Sequence, residues 1–167
     1  VEGRAEIRKA LIKDKRNPNL ALLPAAQTRD KSAVSEDQMR EVIKSLEGEG
    51  YTFVLLDCPA GIEQGFKNAT AGAKESIVVI NPEMSSVRDA DRVIGLLEAQ
   101  ELRNPMLIVN RLRVKMVKSQ DALSVEDVQE VLGSSVKLIG VIPEDEAIIV
   151  STNRGEPVSM TEGTVAG

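Results

Sequence analysis

An apolar run, Tyr51-Thr-Phe-Val-Leu-Leu56, ends on a single aspartate, Asp57, and a Cys-Pro-Ala-Gly turn follows at once. No other feature restricts the fold of this chain as tightly. A buried parallel strand that delivers one carboxylate to the carboxyl edge of a sheet has this form, and open α/β sheets bind ligands at that edge. A carboxylate there, beside a glycine (Gly61) whose amide can approach a phosphate closely, suits a magnesium nucleotide. The glycine-rich, lysine-bearing phosphate loop that ordinarily pairs with such an aspartate is absent from the 167 residues.

The rest of the chain alternates. A helix is expected over Arg4–Lys13, with Ile7, Ala10 and Leu11 on one face, and a short strand over Asn19–Pro24. Ser35-Glu-Asp-Gln38 is a capping-box signature, and Met39, Val42, Ile43 and Leu46 follow at helical spacing until Gly48 and Gly50. After the Asp57 strand come a small-residue helix over Gln64–Ala73 and a strand over Ser76–Asn81. A helix capped by Ser86 runs to about Ala99, with Val87, Ala90, Ile94 and Leu97 facing inward. Strands are expected over Asn104–Asn110 and Val136–Pro143, with a short helix started by Ser124-Val-Glu-Asp127 and stopped by Gly133 between them. Beyond Ser151 the polar sequence reads as loop. Apolar strands alternating with amphipathic helices give an α/β fold, a mostly parallel sheet with helices on both faces and right-handed crossovers. Aromatic residues make up only 2% of the chain and Trp is missing, so the core must be built from Val, Ile, Leu and Ala, as parallel sheets usually are.

Several function classes fall away. The net charge is -5 and no basic run stands out, which argues against nucleic acid as a partner. The chain has no histidine, so His-based catalysis and His metal sites are ruled out. One cysteine excludes an internal disulfide and suits a reducing compartment. No apolar stretch approaches the roughly 18 residues of a membrane span, and no signal peptide opens the chain. The first residue is Val1 and the last four are Thr-Val-Ala-Gly167, so the expectation is an internal segment of a longer protein, a single partial domain over residues 1–167.

Each residue that could carry chemistry has a plainer reading beside it. Asp57 either holds magnesium through a bound water, since magnesium gives up water reluctantly, or caps the turn after it. Gly61 either offers its amide to a terminal phosphate or is a turn glycine that needs positive φ. Cys58 has no cation near it in sequence to lower its pKa and reads as a small packed side chain. Asn110, at a strand end, can pair with an adenine edge through one donor and one acceptor, or it is a turn residue. Pro143-Glu-Asp145 lies past another strand end and strengthens the case for a base pocket. The helix start after Asn81-Pro-Glu83, with Ser85, Arg88, Asp89 and Asp91, is either a solvated face or a partner-binding one.

Taken together these segments resemble the MinD family, deviant P-loop ATPases that position the division site. The resemblance is carried by Leu11–Arg16, Leu23–Lys31, Asp57-Cys-Pro-Ala-Gly-Ile-Glu63, Asn81-Pro-Glu83, Ser86–Arg92, Val141–Asp145 and Ser151–Pro157. In this order and spacing the resemblance extends from about residue 7 to about residue 158. The Asp-Cys-Pro-Ala-Gly variant, with Ile108–Arg113 and Met116-Val-Lys118, is closer to cyanobacterial and plastid members. The resemblance implies roles. Asp57 would be the aspartate that holds magnesium through water, and Gly61 would belong to the switch that senses the terminal phosphate. Asn110 and Arg111 would recognise adenine, with Pro143, Glu144 and Asp145 lining the base pocket. Glu63 and Glu83 would lie at the interface of an ATP-dependent homodimer. Ser85, Arg88, Asp89 and Asp91 would bind a MinE-like activator, and MinC where present. ATP and Mg2+ are the implied cofactors. The implied location is the cytoplasmic face of the cell membrane, or the plastid stroma and inner envelope.

The departures from the family pattern carry their own expectations. The family's N-terminal Lys-Gly-Gly-x-Gly-Lys-Thr loop, its first switch and its C-terminal membrane-binding helix have no counterpart in the 167 residues. Phosphoryl transfer depends on positioned cations and backbone donors around the phosphates, so this segment alone is expected neither to hydrolyse ATP nor to bind membrane. Without the strand that carries the loop, the sheet has an uncovered slot, and the isolated segment is expected to be unstable or to aggregate. Two other readings remain: a ParA-type partitioning ATPase, which should show a basic surface, and a non-catalytic partner-binding fragment.

Overall fold

The computed structural model describes residues 7–24, 34–58, 61–62, 64–133 and 135–160. They belong to two compact units, Val1–Ala73 and Lys74–Gly167.

In the first unit, helix α1 (Ile7–Ala10) gives way to a two-residue strand, β1 (Ile12–Lys13), paired antiparallel with β2 (Ala21–Leu22) so that Ile12 faces Leu22. The expected helix therefore stops short of Lys13. The cause is the turn that follows. The Asp14 carboxylate accepts backbone bonds from Arg16 and Asn17, both at 2.8 Å, and the Asn17 side chain accepts one from Asn19 at 3.0 Å. Asp and Asn side chains that bond their own backbone in this way favour turns over helix. The expected strand over Asn19–Pro24 shrinks to β2 and joins this hairpin rather than the parallel sheet.

Helix α2 (Glu36–Gly48) begins where the capping box places it. Ser35 Oγ accepts from the Gln38 amide at 3.3 Å, and Gln38 Oε1 accepts from the Ser35 amide at 2.9 Å. Helix α3 (Gln64–Thr70) packs on α2. Arg40 Nε on α2 donates to the Ala71 carbonyl at 3.1 Å, and Asn68 on α3 donates to the Val34 carbonyl at 2.6 Å. The core of this unit is small, with Leu46, Phe66 and Ala69 buried.

The second unit holds the parallel sheet. Its strands β3 (Ile77–Ile80), β4 (Met106–Leu112) and β5 (Lys137–Pro143) lie in the order β3-β4-β5. They are joined through helix α4 (Met84–Ala99), then α5 (Val114–Lys118) and α6 (Val125–Leu132). Val78 and Ile80 of β3, Leu107 and Val109 of β4, Val87, Ala90, Ile94 and Leu97 of α4, and Val128 and Leu132 of α6 are buried. These are the aliphatic core residues that the low aromatic content requires. The other face of β3 is open, with Ile77 and Val79 exposed.

Three boundaries differ from expectation. Helix α4 starts before Ser86, with Glu83 at the N-cap making no side-chain cap bond. Ser86 Oγ instead accepts from the Asn81 amide at 3.2 Å and ties the strand end to the helix. Residues 114–118 form α5, which no strong apolar period announces. Residues 151–154 are helix rather than loop. Helix α7 (Glu146–Arg154) is capped by Asp145, whose carboxylate accepts from the Ala147 amide at 2.8 Å, and ended by left-handed Gly155 at φ 69°. A 3-10 turn, Val158–Met160, follows.

Candidate functional site

Asp57 stands near the end of a segment, residues 52–58, that forms no ladder with another strand among the described residues. The expectation of a buried strand is thus corrected. A strand exists only through its neighbours, and lacking them Phe53 and Leu55 stay 85% and 88% exposed. The aspartate itself is exposed, as is Gly61, whose φ is 97°. That backbone conformation is one only glycine adopts freely. An added Cβ at Gly61 would meet no atom within 4 Å, so the residue answers a conformational demand rather than a packing one. Glu63 lies outside the described residues.

Cys58 is exposed rather than packed. Partial desolvation and the charge of Asp57 push its thiol above the ordinary range, which keeps it protonated and a poor nucleophile.

The described residues contain no group of three or more acidic or Cys side chains able to hold a metal. A single exposed carboxylate suits magnesium of one kind only: an ion that arrives with a nucleotide, keeps most of its waters and takes its remaining oxygens from phosphate.

In the second unit, the residues expected to line a base pocket converge. Asn110 and Arg111 sit near the end of β4, and Pro143, Glu144 and Asp145 at the end of β5. The two strands are parallel neighbours, so their carboxyl ends share one edge of the sheet. Leu112 pairs with Pro143, and the Glu144 amide donates to the Leu112 carbonyl at 3.0 Å. Between Val109 and Leu112 the register shifts, and Arg111 takes a left-handed φ of 56°. A bulge of this kind re-aims a side chain, and bulges concentrate beside active sites. A non-glycine residue held there stores strain.

Arg111 and a second arginine, Arg113, both bind Glu144. Arg111 Nη2 donates to Oε1 at 2.9 Å. Arg113 donates through Nε to Oε2 at 2.5 Å and through Nη2 to Oε1 at 3.2 Å. The hydrogen bonds from Arg113 first, and those from Arg111 second, pull the Glu144 carboxyl down to about 2. Arg113 is raised in turn, chiefly by Glu144, with a smaller contribution from the charge of Glu83. Sequence reasoning missed Arg113. The pairing depends on Glu144, distant in sequence, and left no local signal.

Glu83 is exposed at the α4 N-terminus. It lines a surface groove of about 1000 Å³ together with Met84, Arg111, Arg113, Met116 and Leu123. Two residues assigned separately from sequence, Glu83 and Arg111, thus border one groove. Ser85, Arg88, Asp89 and Asp91 are all exposed on α4, opposite its buried stripe. They are available to a partner, and no fold role competes for them among the described residues.

A family model described as "Cellulose biosynthesis protein BcsQ" matches residues 9–164. A putative septum site-determining protein MinD of Guillardia theta is 58% identical over 160 residues, covering 96% of this chain and 58% of that protein. A septum site-determining protein MinD of Synechocystis is 55% identical over 156 residues, covering 93% of this chain and 58% of that protein. In the solved MinC:MinD cell division protein complex of Aquifex aeolicus, one chain superposes with a TM-score of 0.86 at 44% identity, over 96% of this chain and 63% of that one. The chain therefore spans less than two thirds of the length of the relatives it matches.

Proposed function

Because the chain belongs to the MinD family, we propose that its parent protein is an ATP-dependent regulator of where the division septum, or plastid division ring, is placed. The observation that carries this reading is the 58% identity, over nearly the whole chain, to a protein bearing that name. The geometry adds support of its own: an exposed carboxylate at Asp57, a glycine at positive φ at Gly61, and a bulged strand end suited to a base.

In this proposal Asp57 orients the waters of nucleotide-borne magnesium, and Gly61 brings its amide to the terminal phosphate. Bound magnesium would neutralise charge on the phosphates. Asn110 pairs with the adenine edge, and Arg111, Pro143, Glu144 and Asp145 wall the base. Glu63 and Glu83 each meet a second copy when ATP is bound. The exposed stripe of Ser85, Arg88, Asp89 and Asp91 takes the activator that stimulates hydrolysis, or MinC, a partner supported by the solved complex of a relative. No helix among the described residues is long and apolar enough to cross a membrane, so any attachment from these residues would be peripheral. The 167 residues alone, without the phosphate-loop lysines, are proposed to turn over no ATP.

A partitioning ATPase is disfavoured by the net charge of -5. The test is Mg-ATP binding and hydrolysis by the full reading frame that contains this chain, with Asp57→Ala beside it. Magnesium-dependent turnover in the wild type, lost in the variant, is expected. Turnover that survives Asp57→Ala unchanged overturns the assignment of Asp57.

A further inference from the structure

Arg113 lies outside the residues assigned to the proposed base pocket, yet it makes the most extensive side-chain contact at this sheet edge. Its guanidinium grips both oxygens of Glu144, and a fork of two parallel N–H bonds to one carboxylate fixes orientation as well as distance. Glu144 in turn holds the guanidinium of Arg111. Arg111 occupies the strained bulge position directly after Asn110. The backbone bond from the Glu144 amide to the Leu112 carbonyl closes the same unit from below. Bulge, carboxylate and second arginine are thus linked in series, and Arg113 is the end that reaches the proposed pocket only through Glu144.

We propose that Arg113 is a positioning residue: by clamping Glu144 it fixes the Arg111 guanidinium beside Asn110, and so sets how tightly and how selectively the base of a nucleotide is held. The proposal rests on the adenine reading of Asn110 given above. Without Arg113, Glu144 keeps one partner instead of two and can rotate away from Arg111. The guanidinium then samples several orientations, and a planar wall for the base is lost. Lysine does not replace the clamp, because an ammonium is a point charge without the planar fork. Glu83 is a second carboxylate near Arg113 and offers the released guanidinium a competing acceptor.

The test measures binding of ATP and GTP, each with magnesium, to the full reading frame containing this chain. Wild type, Arg113→Ala, Arg113→Lys, Glu144→Gln and the Arg113→Ala/Glu144→Gln double variant are compared. Arg113→Ala is expected to weaken ATP binding roughly three- to tenfold and to narrow the preference for ATP over GTP, with Arg113→Lys recovering little of either. In the Glu144→Gln background the further loss of Arg113 is expected to change little, because the two act through one contact. A wild-type protein that binds neither nucleotide overturns the adenine reading and this proposal with it. A wild type that prefers ATP, with affinity and preference unchanged in Arg113→Ala, overturns the positioning role alone. A change in affinity that appears equally in both backgrounds also overturns it, since the effect would then not pass through Glu144.

Discussion

Arg113 and Glu144, 31 positions apart in sequence, share two hydrogen bonds at the carboxyl ends of neighbouring parallel strands. This pairing, with Arg111 as third member, depresses the Glu144 carboxyl to about 2, from an ordinary value of about 4.3. A carboxylate whose folded-state pKa is depressed adds stability that is fully present above its unfolded value and is lost as pH falls through the folded one. The window for Glu144 therefore runs from about pH 4.3 down to about 2. Glu144→Gln is expected to flatten the acid limb of stability in that window and to leave the neutral limb nearly parallel to wild type. Urea midpoints taken from pH 6 to about 2 check it. Identical acid limbs would mean that the ion pair does not persist in solution. Asp14 and Asp127 are depressed for related reasons, chiefly backbone hydrogen bonds, so an acid-sensitive background remains in the variant.

Ser124 starts α6 through a reciprocal pair of bonds. Its hydroxyl accepts from the Asp127 amide at 3.1 Å, and the Asp127 carboxylate accepts from the Ser124 amide at 2.7 Å. Ser124→Ala is expected to cost about 1 kcal/mol, and Ser124→Asp much less, because a carboxylate can accept the same bond. Equilibrium urea unfolding distinguishes the two. Equal losses would show that the helix start is fixed by Val128 and Leu132 in the core rather than by the cap.

The parts of the fold that the sequence made legible are those governed by local chemistry. Ser35 with Gln38 and Ser124 with Asp127 mark helix starts because a cap is built from neighbouring residues. The strands over 77–80, 106–112 and 137–143 stand out as aliphatic runs. The parts that were not legible depend on distant partners. Residues 52–58 have the composition of a strand, but pairing makes a strand, and composition supplies no partner. The bulge at Arg111 left no mark, since arginine carries no preference for positive φ. Helix α7 was legible and was misread: Asp145 and Gly155 are ordinary start and stop residues, masked by the polar run between Ser151 and Arg154. At the candidate site, the convergence of Asn110 with Pro143–Asp145 followed from two strand ends at one sheet edge. Arg113 did not, because its role is visible only through Glu144.

Leu107 is fully buried on β4, whereas Val79 on β3 is 57% exposed. Truncation separates the two faces of the sheet. Leu107→Ala is expected to cost about 2–5 kcal/mol through lost burial and the cavity left behind. Val79→Ala in the same 167-residue chain is expected to stay within about 0.5 kcal/mol. Comparable losses at the two positions would mean that the open face of β3 is covered in solution.

Gly72 marks a close approach within the first unit. A Cβ added there would stand 2.4 Å from Ile43 Cδ1 and 3.6 Å from the Arg40 Cα. The near atom is the tip of a flexible side chain, so the clash can be relieved by rotation, but only by moving Ile43 within the α2–α3 contact. Gly72→Ala is expected to destabilise by about 1–3 kcal/mol, as overpacking does. Ile43→Val, which removes Cδ1, should return most of that loss in the double variant. A double variant less stable than either single one would place the conflict in the backbone of Arg40 instead.

The segment Tyr51–Leu56 contains no charge, no proline and no glycine, and it is rich in residues that favour strands. Its backbone forms no ladder among the described residues, and two of its large side chains, Phe53 and Leu55, are mostly in water. An unpaired apolar strand is a template for pairing with another chain, and a six-residue window of this composition is a known hazard for self-association. The 167-residue chain is therefore expected to form oligomers whose abundance rises with concentration. Phe53→Lys with Leu55→Lys should suppress them, because lysines along an edge oppose strand pairing. Both positions are exposed, so the paired substitution leaves the cores of both units intact and the far-ultraviolet dichroism unchanged. Sedimentation velocity at several concentrations reads the outcome. A wild-type monomer that melts cooperatively at every concentration would show that residues 52–58 find their partner within the chain.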